Sequence, residues 1–453
     1  MLDIQRGAGA LHEQLELRLR EQIRSGRLGS GARLPSTRAL ASELGISRGV
    51  VLEAYGQLTA EGYLVASQGA PTRVADAPTA ELAPLAAGTL EPHYAYSFDP
   101  GLPDLATFPR AEWLRSLRQA LRSAPFEALG AGDPRGVPEL RNELMHYLGR
   151  ARGAAPEPEH TLLCAGFGQG FALLCGSLRG RGIERIAFED PGWPQHRLIA
   201  ERAGLEVVGI PVDQHGLDVG ELAASGCEIV VVTPAHQFPT GGVMSSERRA
   251  ALLGWADDTD GLIVEDDYDS ELSYDRGPVG ALQGLAPERV CHLGSVAKRL
   301  APALRLGWLL SPSWLTGELT YAKALADGGS PALEQLALAD FIARGELDRH
   351  LRRMRIRYRK RRASLEAGLT RALTAARISG TRAGLYAMVE LPGSCEEAAI
   401  LRAAAAAGIG VDGLAACRIS GTGPPGLLLG YANLSEPAIE RGIELLASVI
   451  RSL

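Results

Sequence analysis

The sequence predicts an α/β protein in two parts: a small N-terminal winged helix-turn-helix head and a large body on a mostly parallel sheet, with a smaller C-terminal α/β subdomain. Three observations lead there. Near the N-terminus apolar residues recur at every fourth position. Residues 75–96 are rich in Ala, Pro and Gly and lack any period. Beyond them, short apolar runs without strict alternation are separated by helical stretches, as in parallel strands covered on both faces. A chain of 453 residues, 46% hydrophobic and 22% charged, suits two or three domains with large cores and excludes wholesale disorder.

In the head, assigned to residues 1–74, Leu11, Leu15, Leu19 and Ile23 line one face of a first helix. After the Arg27–Arg33 break, Ser36 or Thr37 caps a short second helix and Gly45 permits a sharp turn. Ser47 then caps a third helix with the stripe Val50, Val51, Ala54, Tyr55 and Leu58. That order is a helix-turn-helix pattern. Tyr63–Val65 and Thr72–Val74 read as a two-stranded wing, and 75–96 as a semi-flexible linker.

In the body, residues 97–453, the strand candidates are Thr161–Cys164, Arg185–Phe188, Val207–Ile210, Glu228–Val232, Leu262–Val264, Val290–Leu293 and Leu306–Leu310. From about residue 333 a long Arg-rich helix opens the smaller subdomain, which ends in a βαβ-like stretch. The net charge of −6 divides unevenly, since the head holds nine arginines against seven acids and leaves −8 to the rest. Six scattered cysteines, without Cys-x-x-Cys or paired His spacing, indicate reduced buried thiols rather than zinc or disulfides, and no metal is expected. The apolar runs stop short of a bilayer span and the N-terminus carries no signal-peptide pattern, so a soluble cytoplasmic protein is expected.

Of 47 basic residues only three are lysines. A carbonyl cofactor needs an amine that can be neutral, which desolvation provides. Lys360 lies on a solvated basic helix face and Lys323 in an alanine-rich helix. Lys298 follows an apolar run and the small residues Gly294–Ala297, at a strand end where α/β ligands bind. Ser295 and Arg305 flank it as phosphate donors. Glu265–Tyr268 brings an acid and a phenol to another strand end, and Gly166–Gly170 offers backbone N–H groups at a helix start. Trp193 adds a flat ring. Together these match pyridoxal 5′-phosphate.

Four motifs extend the match: Thr233–Gly241, Glu265–Glu271, Gly294–Lys298 through Leu304–Gly307, and Leu429–Ala432. On these the body resembles the fold-type I aminotransferases, and head and body together resemble the MocR family of GntR-type regulators. The resemblance implies that Lys298 bonds the cofactor's aldehyde, Asp266 pairs with its ring nitrogen, Tyr268 meets its phenolate oxygen and Trp193 stacks on it. Phe167, Gly168, Ser295 and Arg305 would hold the phosphate.

Two departures stand out. Phe238 occupies the place of an asparagine, so either Gln237 or His236 touches the phenolate oxygen instead or the contact is absent. No arginine precedes Leu429–Gly430–Tyr431, so Arg418 becomes the candidate for a substrate or effector carboxylate. For the head, the resemblance implies a recognition helix that starts at Ser47–Arg48 in the major groove, Arg38 on the backbone, and the wing around Gln68–Gly69 in the minor groove. It further implies a homodimer on an operator and a regulator sensing pyridoxal phosphate or an amino compound. The alternative is a working aminotransferase with a vestigial head.

Overall fold

The four-residue spacing at the N-terminus folds as one helix, α1 (Leu11–Arg24), with Leu15, Leu19 and Ile23 buried. In this computed structural model, residues 4, 9–66, 70–75, 94–274, 277, 279–421 and 423–453 are described. Ser36, not Thr37, caps α2 (Thr37–Leu44) by accepting from the Ala39 N–H, and Gly45 ends it at φ +64°, a conformation that strains other side chains. Ser47 caps α3 (Arg48–Ala60), which buries Val51, Ala54, Tyr55 and Leu58. Strands β1 (Leu64–Val65) and β2 (Arg73–Val74) pair antiparallel as the wing. Arg20 reaches from α1 to Glu61 at the end of α3 through paired bonds of 2.9 and 3.0 Å. Gln68 and Gly69 lie outside the described residues.

The chain divides into two units, Met1–Pro92 and His93–Leu453. The second opens with β3 (Tyr96–Ser97), α4 (Arg110–Ser123) and α5 (Pro138–Arg152). Its main sheet contains β4 (Thr161–Cys164), β5 (Arg185–Asp190), β6 (Glu206–Asp213), β7 (Gly216–Leu217), β8 (Ile229–Val232), β9 (Leu262–Asp267), β10 (Val290–Ser295) and β11 (Gly307–Leu310). They lie in the order β4-β11-β10-β9-β8-β5-β6-β7. Neighbours from β10 through β6 are parallel. Adjacent β9 residues Ile263 and Val264 enter different apolar clusters, so both faces of the sheet are covered. Strand β11 departs from the expected parallel set, pairing antiparallel with β10 and β4. Its connection from β10 is too short for a crossover helix, so the chain must turn back.

Helices α6 (Phe167–Gly180), α7 (Pro194–Arg202), α8 (Val219–Ser225) and α9 (Ser246–Thr259) link the parallel strands, and α10 (Ser313–Asp327) and α11 (Ala332–Ala343) follow β11. The Arg-rich stretch is α12 (Glu346–Ala372), 27 residues long. Then come β12 (Arg377–Ser379), β13 (Tyr386–Glu390), α13 (Glu397–Ala406), β14 (Ile409–Gly410), β15 (Asp412–Gly413), β16 (Gly426–Gly430) and α14 (Glu436–Arg451). The βαβ-like stretch is a split one: β16 lies between β13 and β15, antiparallel to both. Among the described residues no helix is long and apolar enough to cross a membrane.

Candidate functional site

Strands β4, β5, β8, β9 and β10 all point their carboxyl ends the same way. A parallel sheet collects its loops at that edge, which is why residues distant in sequence meet there. Lys298 lies three residues beyond β10 and donates to the Gly101 carbonyl. Its Nζ is 5.7 Å from the centre of the Trp193 ring, which follows β5. A methyl group on Gly101 would come within 2.9 Å of that Nζ and 3.7 Å of Trp193, so glycine is what lets this backbone close on the amine. Burial lowers the Lys298 pKa, while Asp99, Asp269 and Asp266 pull it back up. The other two lysines are elsewhere. Lys323 is buried against Asp327 (2.6 Å), Gln169 and Ser330 (both 2.9 Å), and Lys360 is exposed on α12.

Asp266 is buried near the end of β9, and burial together with Asp267, Asp269 and Glu189 raises its carboxyl well above the usual range. His196 Nδ1 stands 3.7 Å from it. That histidine also stacks on Phe167 at 4.1 Å. Sequence reasoning missed His196, although its place three residues after Trp193, in the first turn of α7, puts both on one helix face. Desolvation and the nearby Lys298 hold it down to about 3, hence neutral.

At the start of α6, Gly166 has φ +86° and the helix opens with Phe167 and Gly168, whose N–H groups face out of the first turn. The Arg305 guanidinium lies beside Gly166 and donates to the Ala165 carbonyl. Ser295 pairs in register with Gly307, which packs on Gly166. The four phosphate candidates, from three stretches of chain, therefore share one corner.

Three expected roles are altered by the surroundings. Gln237 is spent internally: its Nε2 donates to Glu189 (3.2 Å), the Pro191 carbonyl (2.9 Å) and the Phe238 carbonyl (2.6 Å), and its Oε1 accepts from Thr240. Both ends of its amide thus have protein partners. The Tyr268 hydroxyl donates to the His236 carbonyl (2.9 Å) and lies 3.2 Å from the Tyr386 hydroxyl, with His236 in turn held 2.9 Å from Asp269. Arg418 donates to the Pro424 carbonyl on its own loop at 2.6 Å. That loop is tied to the end of β5, where Asp190 accepts from the Ile419 and Ser420 N–H groups, but the guanidinium itself is turned to Pro424. In place of a cationic clamp, Leu428 is buried with Phe238, Tyr386, Met388, Leu414 and Cys417, against Trp193 and Tyr268.

In the head, Arg38 and Arg48 are both exposed. Arg48 Nε donates to Thr37 Oγ1 at 3.3 Å, joining the starts of α3 and α2. Leu52, one turn on, is also exposed.

Comparison with known proteins resolves what this combination is. Residues 103–446 match the aminotransferase class I and II family and residues 11–74 the bacterial regulatory proteins of the gntR family. The chain is 32% identical over its full length to the probable rhizopine catabolism regulatory protein MocR of Rhizobium meliloti, covering 96% of that protein. The chain belongs to the MocR family of HTH-type transcriptional regulators. It is also 34% identical to the pyridoxine biosynthesis regulator PdxR of Corynebacterium glutamicum, over 78% of this chain and 77% of that one. The body of this MocR-type regulator is similar to an archaeal alanine:glyoxylate aminotransferase, with 26% identity, a TM-score of 0.72, and 79% and 91% of the two chains covered. These relatives favour the regulator over the alternative of an enzyme with a vestigial head.

Proposed function

We propose that this regulator senses pyridoxal 5′-phosphate, alone or together with an amino compound, in the Lys298 cleft, and that occupancy alters operator binding by the head. One observation carries the reading. A lysine whose burial favours the neutral, nucleophilic amine shares a cleft with Asp266, a buried acid with no hydrogen-bond partner among the described residues. Such an acid fits a cationic ring N–H, and the α6 N-terminus beside Arg305 fits a phosphate, so the donor set suits this cofactor.

When bound, pyridoxal 5′-phosphate supplies an aldehyde and an electron-withdrawing ring. Lys298 would hold it through its amine, Trp193 would stack against it, and Asp266, with neutral His196 3.7 Å away, would pair with the ring nitrogen. The Phe167 and Gly168 N–H groups, Ser295 and Arg305 take the phosphate. Tyr268, already poised between His236 and Tyr386, contributes its hydroxyl to the same wall. Leu428 belongs to an apolar wall, and the two arginines beside its Cys417 end, Arg197 and Arg418, donate to loop carbonyls, which supports sensing the cofactor over rapid turnover of amino acids. The name of the C. glutamicum relative supports a role in vitamin B6 metabolism.

In the head, α3 enters the major groove with Ser47 and Arg48 leading, and Arg38 meets the phosphate backbone. Family likeness supports a cytoplasmic homodimer on paired half-sites as the working form.

Titrating the full chain with pyridoxal 5′-phosphate, while following absorbance at the visible edge and the mobility shift of its own upstream DNA, tests this. Lys298→Ala should lose the absorbance and the cofactor response, whereas Arg48→Ala should weaken DNA binding roughly tenfold and keep the absorbance. Absorbance retained by Lys298→Ala, or a wild-type shift indifferent to cofactor, overturns the proposal.

A further inference from the structure

A second polar cleft lies in the body where α12 passes the segment before α4 and the turn before α14. Its volume is about 600 Å³, and Asp104, Thr107, Arg353, Arg357, Arg361 and Asn433 help to line it. The three arginines recur every fourth residue, which puts them along one face of α12. Asp104 is shared: its carboxylate accepts from Arg357 at 3.1 Å and from Arg361 at 2.9 Å. Arg353 has no ion-pair partner among the described residues. The hollow continues past Lys360 and Glu436, so cations outnumber acids along its whole length.

Two buried atoms in this cleft are left without partners. Arg361 is only 7% exposed, and although its terminal nitrogens serve Ala432 and Asp104, its Nε makes no hydrogen bond. Asn433 donates to the Ser97 carbonyl at 3.1 Å, but its Oδ1 has nothing to accept. A buried unmet donor and acceptor in one cavity cost stability unless a ligand or solvent completes them.

We infer that this cleft binds a small phosphate monoester bearing a free hydroxyl. Guanidinium forks match phosphate oxygens, and a hydroxyl, which both donates and accepts, satisfies the asparagine amide. The volume falls in the range of about 300 to 1,000 Å³ typical of small-ligand sites. Because Asp104, α12 and Asn433 come from three separate stretches of chain, such a ligand would fasten them together. The site is independent of the Lys298 cleft.

The test is calorimetric titration of the full chain with glycerol 3-phosphate, comparing wild type, the double variant Arg353→Gln/Arg357→Gln, and Arg305→Ala. Wild type should bind, Arg305→Ala should keep a site of that affinity whatever it loses in the Lys298 cleft, and the double variant should bind at that site at least roughly tenfold more weakly. If the double variant does not fold, Arg353→Glu alone, which breaks no ion pair, should show the same loss. Absence of binding to wild type at millimolar concentration overturns the inference. So does loss confined to Arg305→Ala, which would assign the phosphate to the Lys298 cleft. A double variant weakened toward duplex DNA of unrelated sequence, but not toward glycerol 3-phosphate, would give the surface to a nucleic-acid backbone and overturn it equally.

Discussion

Glu189 places one carboxylate oxygen where it accepts from the Thr233 N–H (3.1 Å), the Thr233 hydroxyl (2.5 Å) and Gln237 (3.2 Å), while its other oxygen is buried without a partner. Burial pushes its carboxyl from the ordinary 4.5 up to about 7, against the pull of those donors. Below pH 4.5 both folded and unfolded chains keep the proton and the group is neutral in the balance. Between there and about 7 only the folded chain keeps it, so stability falls as pH rises, by about 3 kcal/mol once the folded carboxyl has ionised. Glu189→Gln removes this loss. Its carbonyl can accept all three existing bonds, and its amide falls where no donor competes. The variant should therefore melt higher than wild type at pH 8 and equal to it at pH 4. Melting curves that shift equally at both values would show that Glu189 is ionised throughout or that the amide repacks the loop.

At the scale of elements, the strand ends carrying Asp266 and Lys298 are joined behind the site by a buried ionic network. Arg152, the last residue of α5, bonds Asp267 at 2.9 Å, and Arg299, the neighbour of Lys298, bonds Glu271 at 2.6 Å and lies 3.4 Å from Asp267. Both arginines are almost wholly buried. Their charges hold the Asp267 carboxyl far below its ordinary range. Removing one partner strands the others, so Arg299→Met should lower stability by roughly 3 to 5 kcal/mol, read from the midpoint of urea unfolding. A loss below about 1 kcal/mol would mean that the network contributes position but little stability. None of this was legible in the sequence, because ion pairs between residues 28 to 115 apart leave no local pattern. Periodicity and capping, which are local, showed α1, the Gly45 turn, the Ser47 cap and most strands. The direction of β11 depends on connection length, and a five-residue apolar run looks the same either way. Likewise the strand-end motifs marked Lys298, Asp266 and Trp193 by chemistry, whereas the internal bonding of Gln237 and the turn of Arg418 toward Pro424 arise only from how loops pack.

For the whole molecule, joining a DNA-reading head to a cofactor-like cleft has a thermodynamic consequence that geometry alone does not supply. If filling the Lys298 cleft changes operator affinity by some factor, operator binding must change cofactor affinity by the same factor, since both measure one coupling free energy. Couplings of this kind usually amount to about 1 to 3 kcal/mol, or roughly 5- to 150-fold. The check needs two titrations at one fixed salt concentration, because phosphate contacts make DNA affinity strongly salt-dependent. Operator affinity is measured with and without saturating pyridoxal 5′-phosphate, and cofactor affinity by visible absorbance with and without operator. The two ratios should agree and differ from one. Arg48→Ala should raise roughly tenfold the operator concentration needed for this effect while leaving the basal cofactor affinity intact, since the substitution lies in the head. Ratios of one in both directions, with both ligands still bound, would mean that the chain carries a cofactor and reads DNA without connecting the two. Unequal ratios would expose a third species, such as a cofactor-dependent change in assembly, that a two-ligand cycle does not contain.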